Sequence, residues 1–131
     1  MDPKKILIVD DDIMLILALQ RRLRSAGYKS VYAVDAVAAI GTALKELPDL
    51  ILLDVGMALR DGFWVLNQLK TLIETSTTPV IVLTGRDCDE TRRHAFEAGA
   101  TDFFQKPADE KKLLKAIELA LAHGSPTVGM A

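Results

Sequence analysis

Short apolar runs and longer amphipathic segments alternate along the whole chain, and five such pairs follow one another. The apolar runs are rich in aliphatic and β-branched residues and predict strands. The predicted strands are Lys5 to Val9, Lys29 to Val34, Asp49 to Leu53, Val80 to Leu83 directly after Pro79, and Thr101 to Gln105. Five βα units in one domain imply a parallel sheet with helices on both of its faces.

The amphipathic segments predict helices with identifiable ends. Asp12 and Asp35 are candidate N-caps, and Gly27 and Gly99 are glycines of the kind that close helices. Arg92 and Arg93 are expected on a solvated face of the fourth helix. The predicted helices are Asp12 to Ala26, Ala36 to a point before Pro48, Gly62 to about Thr75, Asp87 to Ala98, and Asp109 to Ala122.

Composition excludes several classes of protein. Lys and Arg number 16 and Asp and Glu 18, a net charge of -2 that argues against a nucleic-acid-binding domain. The longest apolar run, Ile13 to Leu19, is too short to cross a bilayer, and Met1 to Lys5 has no extended apolar segment, so we do not expect export. A single cysteine, Cys88, excludes an internal disulfide. We therefore expect a cytoplasmic domain over residues 1–123, with 124–131 as a disordered tail or the start of a linker.

Polar side chains follow four of the predicted strands. Asp10 to Asp12 follow the first strand, Asp54 the third, Thr84 the fourth and Lys106 the fifth. Because ligands of parallel α/β sheets bind at the carboxyl ends of the strands, we expect these groups to meet at one rim. Clustered carboxylates need a cation, and their hard oxygen ligands suit Mg²⁺ or Mn²⁺. Together with an ammonium and a hydroxyl, they indicate phosphoryl transfer.

The sequence resembles the receiver domains of bacterial two-component response regulators. Four stretches carry the resemblance: Ile6 to Asp12, Leu52 to Met57 with Asp61 to Phe63, Pro79 to Gly85, and Ala98 to Pro107. The match extends from about Lys4 to Ala122. It implies a doubly wound, flavodoxin-like three-layer (βα)5 domain with strand order 2-1-3-4-5.

The resemblance also implies a role for each residue at the rim. Asp54 would be the phosphoacceptor, and Mg²⁺ would be held by Asp10, Asp11, Asp54 and the backbone carbonyl of Gly56. Lys106 would contact a phosphoryl oxygen. Thr84 and Phe103 would be the switch residues that remodel the surface of the fourth helix, fifth strand and fifth helix. The bond before Pro107 is expected to be cis. The phosphoryl donor would be a sensor histidine kinase or a histidine phosphotransfer protein.

The first helix departs from a simple amphipathic pattern, because Ile13 to Leu19 is apolar on every face. Leu15, Leu19, Leu23 and Ala26 have the spacing of a buried stripe. If those four residues are buried, Ile13, Met14, Ile16 and Leu17 are left at least partly exposed near the rim. We expect Ile13, Met14 and Leu17 to dock a partner, while Ile16 is as well explained as part of the core.

We expect a signalling receiver, not an enzyme, whose only reactions are its own phosphotransfer and slow autodephosphorylation. Two other functions remain as alternatives. One is a phosphatase or phosphotransferase that forms an aspartyl phosphate, but enzymes of the haloacid-dehalogenase type carry a second acid where this chain has Gly56. The other is a nucleotide- or flavin-binding domain, but Asp10 to Asp12 would repel a phosphate without a metal. A homodimer that forms on phosphorylation is left open.

Overall fold

The alternation of the sequence appears in the computed structural model as a three-layer α/β fold, described for residues 2–57, 61–85 and 89–123. The predicted tail, 124–131, lies outside these residues. The strands are β1 (Lys5–Val9), β2 (Lys29–Ala33), β3 (Leu50–Leu53), β4 (Val80–Thr84) and β5 (Asp102–Gln105). The helices are α1 (Ile13–Ser25), α2 (Ala36–Glu46), α3 (Asp61–Thr71), α4 (Asp89–Glu97) and α5 (Glu110–His123).

The strands form one parallel sheet in the order β2-β1-β3-β4-β5, which confirms the predicted fold class and order. Leu7 pairs with Ile51, and Val82 pairs with Phe103. Successive residues of a strand point to opposite faces, and both faces of the sheet are covered. Leu7, Ile51 and Val82 pack in the layer of α2, α3 and α4. Ile8, Leu52 and Ile81 pack in the layer of α1 and α5. This two-sided burial explains why the central strands are almost wholly apolar.

The buried face of α1 differs from the predicted one. Ile16 and Leu23 are each only 1% exposed, while Leu15 and Leu19 are half-buried and Ala26 is exposed. The prediction of a partly exposed Ile16 was therefore wrong. Asp12 accepts a hydrogen bond from the amide of Leu15 and begins the helix at Ile13. From that start, the positions seven residues apart that face the sheet are Ile16 and Leu23.

Helix α3 ends at Thr71, earlier than the predicted Thr75. The reason is a side chain that satisfies the helix end. The buried hydroxyl of Thr75 donates to the carbonyl of Leu69 at 2.6 Å, which fills one of the carbonyl groups left open at a C-terminus. The other elements begin and end within about two residues of their predicted bounds, except that the predicted start of α4 at Asp87 lies outside the described residues. In the part of the chain described, no helix has the length and apolar composition to cross a membrane.

Candidate functional site

Adjacent central strands bring Asp10 and Asp54 together at one edge of the sheet. Asp10 directly follows β1 and Asp54 directly follows β3, and the two strands are paired neighbours. The amide of Asp54 donates to the carbonyl of Val9 at 3.0 Å, so the ladder continues one residue beyond β3. The amide of Asp10 similarly donates to Ala33 at 3.1 Å. Sheet hydrogen bonds therefore fix the backbone of both acids.

Three carboxylates form a compact cluster at this edge. Asp10, Asp11 and Asp54 each offer an oxygen, and these oxygens all lie within 4.8 Å of one another. Asp10 is 2% exposed and Asp54 is 7% exposed, while Asp11 is open to solvent. Such a set of hard oxygen ligands around an accessible position suits Mg²⁺, which keeps several of its waters when bound. The residues present therefore fit the ion that the sequence predicts.

Lys106 joins the two buried acids. Its Nζ lies 2.6 Å from Asp10 Oδ2 and 3.0 Å from Asp54 Oδ2. Its amide donates to the carbonyl of Thr84 at 2.8 Å, and the bond from Lys106 to Pro107 is cis. The ammonium is thus held at the rim by the residue that directly follows β5.

The electrostatics of the cluster follow from burial. Burial raises the pKa of Asp10, and hydrogen bonds from Lys106 and from the amide of Asp12 offset only part of this effect. Burial alone would lower the pKa of Lys106, but its hydrogen bonds to Asp10 and Asp54 outweigh burial and raise it. The lysine therefore stays protonated. Among the described residues, one ammonium faces three acids, and this excess of acids favours a further cation.

The loop after Asp54 is held in a narrow space. The amide of Gly56 donates to Asp54 Oδ1 at 2.7 Å, so both oxygens of the acid have a donor. Gly62 in the first turn of α3 packs directly on this loop. A Cβ on Gly62 would lie 2.2 Å from Val55 Cα and 2.5 Å from the carbonyl oxygen of Asp54. Only glycine permits this approach. The carbonyl of Gly56 as a metal ligand stays a prediction.

Thr84 and Phe103 lie on the same face of the sheet. Thr84 ends β4 and is fully buried. It pairs with Gln105, and Phe103 precedes Gln105 by two residues, so alternation directs Thr84 and Phe103 toward the same layer. Phe103 is 7% exposed and packs in the layer that contains α4. The predicted switch residues are therefore diagonal neighbours beneath α4.

The apolar residues predicted to dock a partner are exposed at the start of α1. Ile13 is 47% exposed, Met14 74% and Leu17 50%. They begin one residue after Asp12, so they adjoin the acidic edge.

One contact has no sequence signal of its own: the Arg92 guanidinium lies over the rings of Phe96 and Phe103. Arg92 was expected on a solvated face, and that expectation did not include the ring of Phe103, because the contact forms between α4 and β5.

Comparisons with known proteins agree on one family. The family model described as the response regulator receiver domain matches residues 6–118. Transcriptional regulatory protein ZraR of Salmonella typhimurium is 37% identical over 122 residues, which are 93% of this chain and 27% of that protein. Protein PilH of Pseudomonas aeruginosa is 36% identical over 118 residues, 90% of this chain and 98% of its own length. The chain thus spans about a quarter of ZraR and nearly all of PilH.

A solved structure gives the same result. The CheY-like response regulator receiver domain protein from Methanospirillum hungatei superposes with a TM-score of 0.85 and 27% identity. The superposition covers 92% of this chain and 95% of the other.

Proposed function

Because this chain belongs to the family of response regulator receiver domains, we propose that it accepts a phosphoryl group on Asp54 from a phosphohistidine donor. The observation that carries the proposal is the position of Lys106 Nζ, which hydrogen-bonds both Asp10 and Asp54 at the edge of the acidic cluster. An acid that only capped a turn would need neither a buried second acid nor a lysine from a strand two places away.

Asp54 is the acid at the phosphoacceptor position of the receiver family, and its carboxylate would attack phosphorus. Gly56 donates to Oδ1 and Lys106 to Oδ2, so the carboxylate is held in one orientation. In the transfer, one carboxylate oxygen bonds to phosphorus as the bond from phosphorus to the donor imidazole nitrogen breaks. The imidazole leaves with the electron pair, and the product is an acyl phosphate. Lys106 then donates to a phosphoryl oxygen, where it offsets charge that develops during the transfer.

Asp10, Asp11, Asp54 and the carbonyl of Gly56 would hold Mg²⁺, or Mn²⁺ in its place. Support comes from the three carboxylate oxygens that lie within 4.8 Å of one another and from the raised pKa of the buried Asp10. When bound, the ion would supply positive charge beside the phosphoryl oxygens. The chain itself contributes fixed ligands, since β1 and β3 hold Asp10 and Asp54 through backbone hydrogen bonds.

Phosphorylation would be transmitted through Thr84 and Phe103. A phosphoryl group on Asp54 adds charge and acceptor oxygens, and the Thr84 hydroxyl at the end of the adjacent strand would turn toward it. Phe103, diagonal to Thr84, would occupy the space that this movement vacates. The surface of α4, β5 and α5 would then change as a shift between two populations.

A sensor histidine kinase or a histidine phosphotransfer protein would supply the phosphoryl group. Ile13, Met14 and Leu17 would contact it, since an apolar patch beside the acidic edge suits docking of a helical partner. We propose that the chain acts as a signalling receiver rather than as an enzyme with a separate substrate, and that its only reactions are phosphotransfer and slow autodephosphorylation.

Labelling by a small phosphodonor tests the proposal. With acetyl phosphate and Mg²⁺, the wild type should take up one phosphoryl group that hydroxylamine removes. Asp54→Asn should take up none. Asp49→Asn is the matched control, because Asp49 precedes the same strand at its opposite end, where it accepts the Lys5 amide at 2.8 Å. Hydroxylamine-labile labelling of Asp54→Asn at the wild-type level would contradict the assignment.

A further inference from the structure

The guanidinium of Arg92 lies between two phenylalanine rings that belong to different elements. Its central carbon is 5.6 Å from the ring centroid of Phe96 and 5.5 Å from that of Phe103. Arg92 and Phe96 are four residues apart and share one edge of α4. Phe103 belongs to β5. Both distances fall within the range of a cation–π contact.

The two rings differ in exposure, and this difference shows which ring the guanidinium covers. Phe96 is 40% exposed, whereas Phe103 is 7% exposed beneath α4. Arg92 is itself exposed, so its guanidinium covers the buried ring from the solvent side. An outward rotation of Phe103 would have to displace the guanidinium or lose its contact. Arg92 therefore favours the buried position of Phe103.

We propose that Arg92 is a positioning residue that clamps Phe103 in its buried position and so couples α4 to the phosphoryl site. The proposal rests on the proposed function and adds that the buried position of Phe103 in this structure is the one that a phosphoryl group on Asp54 favours. A contact that stabilises the inward ring must, by linkage, strengthen binding of whatever favours that ring position. Arg92 is thus expected to raise the affinity of the site for a phosphoryl group, although no contact among the described residues joins it to the acidic cluster.

Beryllofluoride with Mg²⁺, a mimic of the aspartyl phosphate, provides the test. Arg92→Met keeps an unbranched apolar stem but removes the cation, and it should weaken beryllofluoride binding by about fivefold, as expected for one partly exposed cation–π contact. Arg93→Met is the matched control. The only ion pair described for Arg93 is the exposed one with Glu97 at 3.7 Å, so this variant should bind as the wild type does.

A double-mutant cycle separates the clamp from a general loss of stability. In a Phe103→Leu background, Arg92→Met should have no further effect on beryllofluoride affinity. The same fivefold loss in that background, or wild-type affinity in Arg92→Met alone, would overturn the proposal.

A second measurement needs no ligand. In the free protein, Arg92→Met should shift the ring resonances of Phe103 and speed hydrogen exchange of the β5 amides, and Arg93→Met should do neither. Unchanged Phe103 resonances in Arg92→Met would overturn the clamp. If the wild type binds no beryllofluoride, the proposed function fails, while the ring resonances still decide the clamp.

Discussion

Replacing Gly62 by alanine tests how tightly the loop after Asp54 is held. The added Cβ would lie 2.2 Å from Val55 Cα, whereas an ordinary contact begins at 3.4 Å. The first turn of α3 and the loop after Asp54 must therefore separate by about 1.2 Å, the difference between these two distances. The close atoms are backbone atoms, so no side-chain rotation relieves the clash.

The cost of this separation follows from the packing. Overfilling a packed site costs about 1–3 kcal/mol, which for a domain of this size lowers Tm by about 3–10 °C. A displacement of about 1 Å at a reacting group slows a reaction by about 100-fold. We therefore expect Gly62→Ala to lower Tm and to slow phosphorylation of Asp54 by acetyl phosphate.

Gly41→Ala is the matched control, because it is the same chemical change in open space. Gly41 lies inside α2 and a Cβ there meets nothing within 4 Å. Alanine in a helix interior is favoured over glycine by about 0.5–1 kcal/mol, so Tm should rise by about 2–4 °C. Thermal unfolding and the rate of labelling measure both variants. Gly62→Ala with wild-type stability and wild-type labelling would refute the steric reasoning.

For three further changes, the structure predicts whether the protein becomes more or less stable. Leu47 caps α2 at φ 47°, a backbone conformation that glycine adopts without strain, and its side chain is 58% exposed. Leu47→Gly should therefore raise the free energy of unfolding by about 1 kcal/mol in a denaturant titration, and a lower free energy of unfolding would contradict backbone strain at Leu47. Burial lowers the pKa of Lys70 below its usual 10.5, so the folded state loses the proton first as the pH rises. The wild type should therefore gain stability relative to Lys70→Met as the pH rises toward 10.5, and a constant difference would count against this. Mg²⁺ at about ten times its Kd should raise the free energy of unfolding by about 1.4 kcal/mol in the wild type and in Asp49→Asn, but not in Asp10→Asn, and an equal rise in Asp10→Asn would exclude Asp10 as a ligand.

Much of the fold and of the site was predictable because strand order and alternation act over whole elements. An acid after a buried strand must lie at the carboxyl edge of a parallel sheet, so the meeting of Asp10, Asp54 and Lys106 required no side-chain detail. The phase of α1 was less predictable, since an apolar run on every face offers several stripes. Only the cap at Asp12 and the sheet select Ile16.

Contacts that helix and strand periodicity do not include account for what the sequence did not predict. The hydroxyl of Thr75 ends α3 because the chain folds back onto Leu69, a hydrogen bond that helical periodicity does not include. Gly62 must lack a Cβ, and this requirement arises only because α3 packs on the loop after Asp54. Arg92 has the spacing of a solvent-facing residue, and only the neighbouring strand gives it the ring of Phe103.

Chemical mapping of the phosphorylated carboxylate tests the central claim most directly. Borohydride reduces an acyl phosphate of aspartate to homoserine, and mass spectrometry of peptides then locates the reduced residue. After treatment with acetyl phosphate and Mg²⁺, reduction should occur at Asp54 alone, although Asp10 and Asp11 offer oxygens within 4.8 Å of it. Reduction at Asp10 or Asp11, or at no residue in a protein that has taken up phosphate, would contradict the account.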